Sequence, residues 1–415
     1  MDIVERFINY TKINTTTNIE NGHAGIMPSS SGQMILAELL AQQLNEFGLE
    51  DIILRDNAIV TATLPANIPE KVPTVSFFAH LDTSSEQTAD TQAQILHFTG
   101  EDLCLNPEKK IFLKPSMFPE LMQYSGQDII VTDGTSLLGA DDKAAIAAIL
   151  DALQFLTTNP DIPHGTVKVG FVPDEEQGLL GAKAFDVHAF GADFAYTLDC
   201  GGISELVYEN WNAGHAEIIF TGCSAHPMSA KGKLKNALLM AHKFISMLPA
   251  GEAPEYTEGK EGYYWVKQLQ GNSGRAVLNL DIRDFTVDGY QKRKDFLNTL
   301  ALNCAALWGD DSVRCLLSDV YSNVYNSLQG DHSYPIAIAE EAYRRCGVEP
   351  QPLAMRGGYD GTVLSQKGLP CPNLFTGAHN FHSIYEYLPV PSLRTASRVV
   401  TEVIKLTAER FSKDK

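Results

Sequence analysis

The chain is short of several things, and each shortage narrows its chemistry. Its 415 residues carry 32 lysines and arginines against 51 aspartates and glutamates, a formal charge of −19. An acidic surface repels phosphate backbones and anionic lipid, which argues against nucleic acid and membrane as partners. No apolar run approaches the length of a membrane span; the stretch Ala144–Leu150 soon meets Asp151 and Gln154. The start, Met1-Asp2-Ile3-Val4-Glu5-Arg6, has neither the basic opening nor the apolar stretch of a secretory leader. The seven cysteines are an odd number, scattered, and never form a Cys-x-x-Cys pair. That pattern points to reduced thiols in the cytoplasm rather than a disulfide framework. Internal repeats and low-complexity tracts are also missing. The remainder is ordinary for a soluble globular protein, with 44% hydrophobic and 20% charged residues and a length that calls for about two domains.

Strand-like and helix-like segments alternate over the first two hundred residues. Met34–Phe47 reads as a helix stopped by Gly48, Val72–His80 as a strand, Asp142–Leu156 as a helix, and Thr166–Val172 and Asp193–Leu198 as strands. Such alternation predicts an α/β fold with a mixed, largely parallel central sheet and helices on both faces. From about Glu209 the pattern changes. His215–Thr221, Tyr263–Gln270, Ala276–Asp284 and Val313–Val320 read as strands, and Leu234–Leu248 and Asp288–Leu307 as helices. This β-α-β-β-α-β order predicts a two-layer α+β domain. A helical Ser333–Cys346 follows it, so the expectation is an inserted domain over 209–321, with a catalytic domain contributed by 1–208 and 322–415.

Five stretches end an apolar run with an acid or a histidine: His80-Leu81-Asp82, Gly139-Ala140-Asp141-Asp142-Lys143, Asp174-Glu175-Glu176, Asp199 before Cys200, and Asn380-Phe381-His382. Open α/β sheets place ligands beyond the carboxyl ends of their strands, where His80, Glu175, Glu176 and Asp199 fall. Carboxylate oxygen and imidazole nitrogen are the donors that divalent cations take, and a pair of cations activates water against an amide. In an extended segment residues two apart share a side, so Asp82 can reach His80 and fix its tautomer. Asp141 precedes a helix, whose free amides favour an acid; a plain helix cap at Asp141 or Asp142 is the bland alternative. Adjacent Glu175 and Glu176 can divide the roles of proton acceptor and metal ligand, or form a solvated acidic loop. Asp199 is otherwise a turn acid before Gly201-Gly202, and at this level His379 rivals His382 as a ligand.

In this order the stretches resemble the dinuclear zinc exopeptidases related to glutamate carboxypeptidase and succinyl-diaminopimelate desuccinylase, nearest to their tripeptide aminopeptidase branch. The carrying segments are Phe78-Ala79-His80-Leu81-Asp82-Thr83, Leu138-Gly139-Ala140-Asp141-Asp142-Lys143-Ala144, Pro173-Asp174-Glu175-Glu176, Arg356-Gly357-Gly358-Tyr359-Asp360-Gly361 and Asn373-Leu374-Phe375-Thr376-Gly377. The resemblance implies two Zn2+ per subunit, with Co2+ or Mn2+ able to substitute. One takes His80 and Asp199, the other Glu176 and His382, and Asp141 bridges them. It further implies Asp82 behind His80, and Glu175 as the general base for attack by metal-bound hydroxide. The inserted domain then resembles the family's lid and homodimer interface.

Within that domain, Ser224-Ala225-His226-Pro227 resembles the segment whose histidine meets substrate or the oxyanion. Arg283 and Arg356 are candidates to grip a substrate carboxylate, or else partners in ion pairs with Asp281, Asp284 or Asp360. The expected activity is release of the N-terminal residue from short peptides, tripeptides above all. The alternatives are a dipeptidase, a carboxypeptidase or an N-acyl amino acid deacylase on the same fold, and, in another class, a non-enzymatic relative that uses its lid for assembly. None of the proposed ligands, nor the base, is missing, which disfavours the last.

Overall fold

The run Val75–His80 is buried from end to end, as a strand covered on both faces must be. It sits near the middle of an eight-stranded sheet in a computed structural model that describes residues 1–86 and 90–412. The order is Glu50–Leu54, Val60–Leu64, Val167–Val172, Val75–His80, Phe194–Cys200, Asn373–Phe375, Glu205–Glu209 and Gln351–Ala354. The four strands from Val167–Val172 to Asn373–Phe375 run parallel, while pairings toward Val60–Leu64 and Glu205–Glu209 are antiparallel. The sheet is therefore mixed, with the expected parallel character held in its centre.

Helix Ala140–Thr158 is buried without a break from Ala140 to Leu150. A helix apolar all round needs cover on every side. Strands Val75–His80 and Phe194–Cys200 cover one side and helices Ile3–Thr11 and Val390–Ser412 the other. Those two helices, at the ends of the described chain, were not among the expected elements. A small antiparallel sheet of Gln94–Phe98, Gln127–Val131 and Tyr387–Pro389 was also unforeseen. Its short strands carry too few alternations to stand out by periodicity. It encloses Phe98, Leu121, Tyr124, Ile129 and Tyr387 and anchors the segment that follows His382.

The residues fall into two compact units. The first comprises Met1–Tyr208, Ser327–Leu353 and Tyr359–Lys415; the second comprises Glu209–Asn326 and Ala354–Gly358, beyond the expected range of 209–321. The second unit has an antiparallel sheet ordered Tyr263–Gly271, Arg275–Asp284, Asn212–Thr221, Val313–Tyr321. Helices Ala237–Ile245 and Val287–Trp308 pack on this sheet, giving the two-layer α+β arrangement. Along Asn212–Thr221 the side chains of Ala216, Ile218 and Phe220 are buried against Phe244, Leu278, Leu280 and Leu297, and the residues between them are less covered, the period of two that a half-covered strand requires. The helix expected from Leu234 starts at Ala237 because the Asn236 side chain caps it, accepting from the Leu238 N–H.

Candidate metal centre

Sheet register delivers the first ligand. His80 is the last residue of its strand, opposite Val172, and its backbone N–H donates to Asp142 Oδ2 at 3.1 Å. Asp199 lies near the end of the next strand, where its N–H donates to Asn373 Oδ1 at 2.7 Å. Gly139 opens the helix that carries Asp141. It holds φ +75°, where a Cβ would also stand 3.2 Å from Thr83 Cγ2, so glycine serves both the conformation and the space. Asp141 and Asp142 then keep non-helical dihedrals before the regular helix begins.

The turn with Glu175 and Glu176 is pinned at its first residue. Asp174, at φ +56°, accepts from Ser29 N at 2.8 Å and Gln33 Nε2 at 2.7 Å, and its own N–H donates to Gln33 Oε1 at 3.0 Å. His382 and Asn380 also hold positive φ, 60° and 59°. Residues other than glycine in that region concentrate at functional sites.

These elements converge. Asp141 Oδ1 lies 2.9 Å from His80 Nε2 and Asp141 Oδ2 lies 3.1 Å from His382 Nε2, so one carboxylate faces both rings. Among the described residues, three groups have donor atoms within 4.8 Å of one another: His80, Asp141, Asp142 and Asp199; His80, Glu175 and Glu176; and Asp141, Glu176 and His382. Glu176 Oε1 is 2.8 Å from His382 Nε2 yet has no hydrogen-bond partner. A lone pair facing a ring nitrogen without hydrogen-bond alignment is the relation two ligands of one cation would have.

Asp82 meets His80 through both its backbone and its side chain. The His80 Nδ1 hydrogen bond goes to the Asp82 backbone carbonyl at 3.0 Å, and the carboxylate is 3.4 Å away. That carboxylate also accepts the N–H groups of Glu175 at 2.9 Å and Glu176 at 3.2 Å. It thus ties the histidine strand to the glutamate turn.

The electrostatics call for positive charge. Burial, and then the charges of neighbouring acids, push the carboxyls of Asp142, Glu175 and Asp199 well above the usual range; Glu176 is raised as well. Burial would raise Asp141 too, but hydrogen bonds from His382 and His80 hold it below that range. His382 is raised to about 11 by the Asp141 and Glu176 carboxylates that its ring faces. Asp360 is 3% exposed, neither of its oxygens meets a donor, and burial raises it to about 7. Among the described residues, crowded carboxylates with unmet oxygens and two imidazoles, with no thiolate beside them, suit divalent metal binding.

The remaining candidates are not members of these groups. His379, the rival to His382, is outside these groups. Its Nε2 is 2.7 Å from Tyr124 Oη, its ring stacks on Tyr387, and burial lowers it to about 4. His226, Arg283 and Arg356 belong to the second unit. His226 is exposed and its Nδ1 accepts from Met228 N. Arg283 donates to Asp281 Oδ2 at 3.1 Å, Gly214 O at 3.1 Å and Ile282 O at 2.9 Å. Arg356 lies over the Trp211 and Tyr263 rings and donates to Gly259 O and Thr257 Oγ1. Asp174 and Asp360 stand in the quoted stretches without a role at the centre, and the only signal for Glu386 in the sequence is an acid four residues after His382.

A model of peptidase family M20/M25/M40 matches residues 139–406, and one of peptidase family M28 matches residues 60–205. A peptidase T-like protein of Rhizobium meliloti is 46% identical, over 98% of each chain. Peptidase T of Geobacillus kaustophilus is 44% identical, over 99% of each chain. The crystal structure of aminopeptidase PepT from Bacillus cereus shares the fold with a TM-score of 0.76 at 22% identity, over 98% of each chain.

Proposed function

The chain belongs to peptidase family M20/M25/M40, and we propose on that premise that it is a two-zinc aminopeptidase releasing the N-terminal residue of short peptides, tripeptides above all. It is a metallo-exopeptidase. The observation that carries the reading is Asp141, whose two oxygens face His80 on one side and His382 on the other, with Glu175 beside them. The residues in place to hold the cations are His80, Asp141 and Asp199 for one and Asp141, Glu176 and His382 for the other. When bound, the cations supply Lewis acidity at the scissile carbonyl and a more acidic water.

The chain's own groups do the rest. Glu175 accepts a proton as water oxygen bonds to the carbonyl carbon, and returns it to the amine nitrogen as the C–N bond breaks. A carboxyl already raised by burial is suited to give that proton back near neutrality. Asp82 holds Glu175 in place through its backbone N–H. Asp142, which joins the first ligand group, also steadies the end of the His80 strand.

The three groups expected to meet substrate in the second unit enter the proposal unequally. Arg356 has no carboxylate within 4.0 Å among the described residues, so its charge is available to a peptide carboxylate, and His226 is exposed and available to an oxyanion. Arg283 spends its donors on its own unit and supports the strand pair around Asp281. A homodimer through the second unit and a cytoplasmic location belong to the same proposal. Among the described residues no helix is long and apolar enough to cross a membrane.

A panel of free, N-acetylated and C-amidated di- and tripeptides tests the activity. Release of the first residue from free tripeptides, abolished by acetylation, is the expected outcome. Cleavage of acetylated tripeptides from the carboxyl end at undiminished rate would overturn it in favour of a carboxypeptidase.

A further inference from the structure

Glu386 is 2% exposed, and its carboxylate makes two backbone hydrogen bonds: Oε2 accepts from Gly139 N at 2.8 Å and Oε1 from Asp141 N at 3.0 Å. Both donors belong to a turn that cannot satisfy them internally. Gly139 is left-handed, Asp141 is non-helical, and the first N–H groups of a helix have no partner within it. A buried carboxylate is tolerable only where donors and opposite charge meet it. The two amides do so, and Lys143, itself 2% exposed and bonded to Ile13 O at 2.8 Å, is near enough for the Glu386 carboxylate to favour its charged form against burial.

The other end of this side chain belongs to the His382 loop. Glu386 N donates to Ser383 O at 3.0 Å, Tyr385 N to Ser383 Oγ at 3.1 Å, and Asn380 Nδ2 to Tyr385 O at 3.1 Å. Directly after it, Tyr387–Pro389 pairs with Gln127–Val131. Glu386 therefore joins the loop that carries one ligand to the turn that carries the shared one, across 245 residues of sequence.

The two halves of the centre depend on this link to different degrees. His80 and Asp199 are held by parallel strands, by Asp142 and by Asn373. His382 is 40% exposed, at positive φ, on a loop. We propose that Glu386 is a positioning residue that sets Asp141 against His382 and so governs the affinity of the cation held by Asp141, Glu176 and His382, with little effect on the one held by His80, Asp141 and Asp199. The proposal rests on the metal centre described above.

The test is a Co2+ titration of full-length wild type, Glu386→Gln and Glu386→Ala, followed by calorimetry and by visible absorption. Glutamine keeps the size of the side chain but turns an NH2 group toward one backbone N–H, so it holds even if alanine prevents folding. Wild type is expected to take two Co2+. The glutamine variant should bind the first as wild type does and the second about 10–100-fold more weakly, the loss typical of removing a partner behind a metal ligand, with an altered spectrum for the second ion. Wild-type affinity and spectrum for the second Co2+ would overturn the proposal, and so would equal weakening of both. A wild type that takes no Co2+ overturns the metal centre, and this proposal with it.

Discussion

Charge is handled in opposite ways in the two units. In the second, nearly every buried or half-buried cation is answered by a neighbour: Arg283 by Asp281, Arg293 by Asp284 and Glu252, Lys294 by Asp319. In the first, Asp142, Glu176 and Asp360 keep buried oxygens with no hydrogen-bond partner among the described residues, and carboxylates outnumber imidazoles in the groups around His80 and Asp141. Matched charge steadies a fold, whereas unmatched buried charge costs several kcal/mol unless a ligand answers it. Arg356 departs from the habit of its own unit. It rests on two aromatic rings and donates to oxygens without charge, which sets it apart from Arg283.

The largest effect that would sharpen this contrast is at Glu175. Glu175→Ala should lower kcat by about 10²–10⁴-fold while the metal content, read by elemental analysis, stays at the wild-type value. Near wild-type turnover would remove the base from the mechanism. Next, Arg356→Ala should raise KM about tenfold for peptides with a free carboxylate, about 1.4 kcal/mol of binding, and leave C-amidated peptides unchanged. An equal change for both would mean that its charge meets no carboxylate.

Arg283→Ala should act on stability instead. A loss of about 1–3 kcal/mol in urea unfolding is expected, because Asp281 and two carbonyls lose a donor. A stability equal to wild type would break the distinction between matched and unmatched cations.

The smallest effect concerns the metal-free protein. His80 and His382 have folded pKa values raised above the ordinary histidine value, and Asp142, Glu175 and Asp199 are raised above the carboxylate value. A group raised on folding contributes stability below its unfolded pKa and loses it as pH rises through its folded one. The melting temperature of the metal-free protein should therefore fall as pH rises from 6.5 toward the His382 value of about 11. Zn2+ should raise it most at the alkaline end of that range. A melting curve indifferent to both would mean that the cluster does not carry unanswered charge.

Much of the centre was legible because its chemistry sits at strand ends. His80, Asp199 and the Glu175-Glu176 pair each follow an apolar run, and a run with its terminal polar group can be read within ten residues. The β-α-β-β-α-β order of the second unit was legible for the same reason, since its strands and helices are long enough to show their periods. What escaped had no local mark. The Asp82 carboxylate stands 3.4 Å from the imidazole, and the further bonds by which it holds the glutamate turn, 93 residues away, had no sign in the sequence. Asp174 depends on Ser29 and Gln33, more than 140 residues before it. The small sheet behind His382 consists of strands of three to five residues.

By itself the sequence determined the class of fold, the two kinds of layer and which residues could bind a cation, because periodicity and terminal residues act over a turn or two of chain. Only the tertiary structure decided which carboxylate stands between the two histidines, which acids go unanswered, and that Glu386 joins His382 to Asp141. Those relations are set where distant segments pack side by side, and distances between such segments follow from the closing of the whole core.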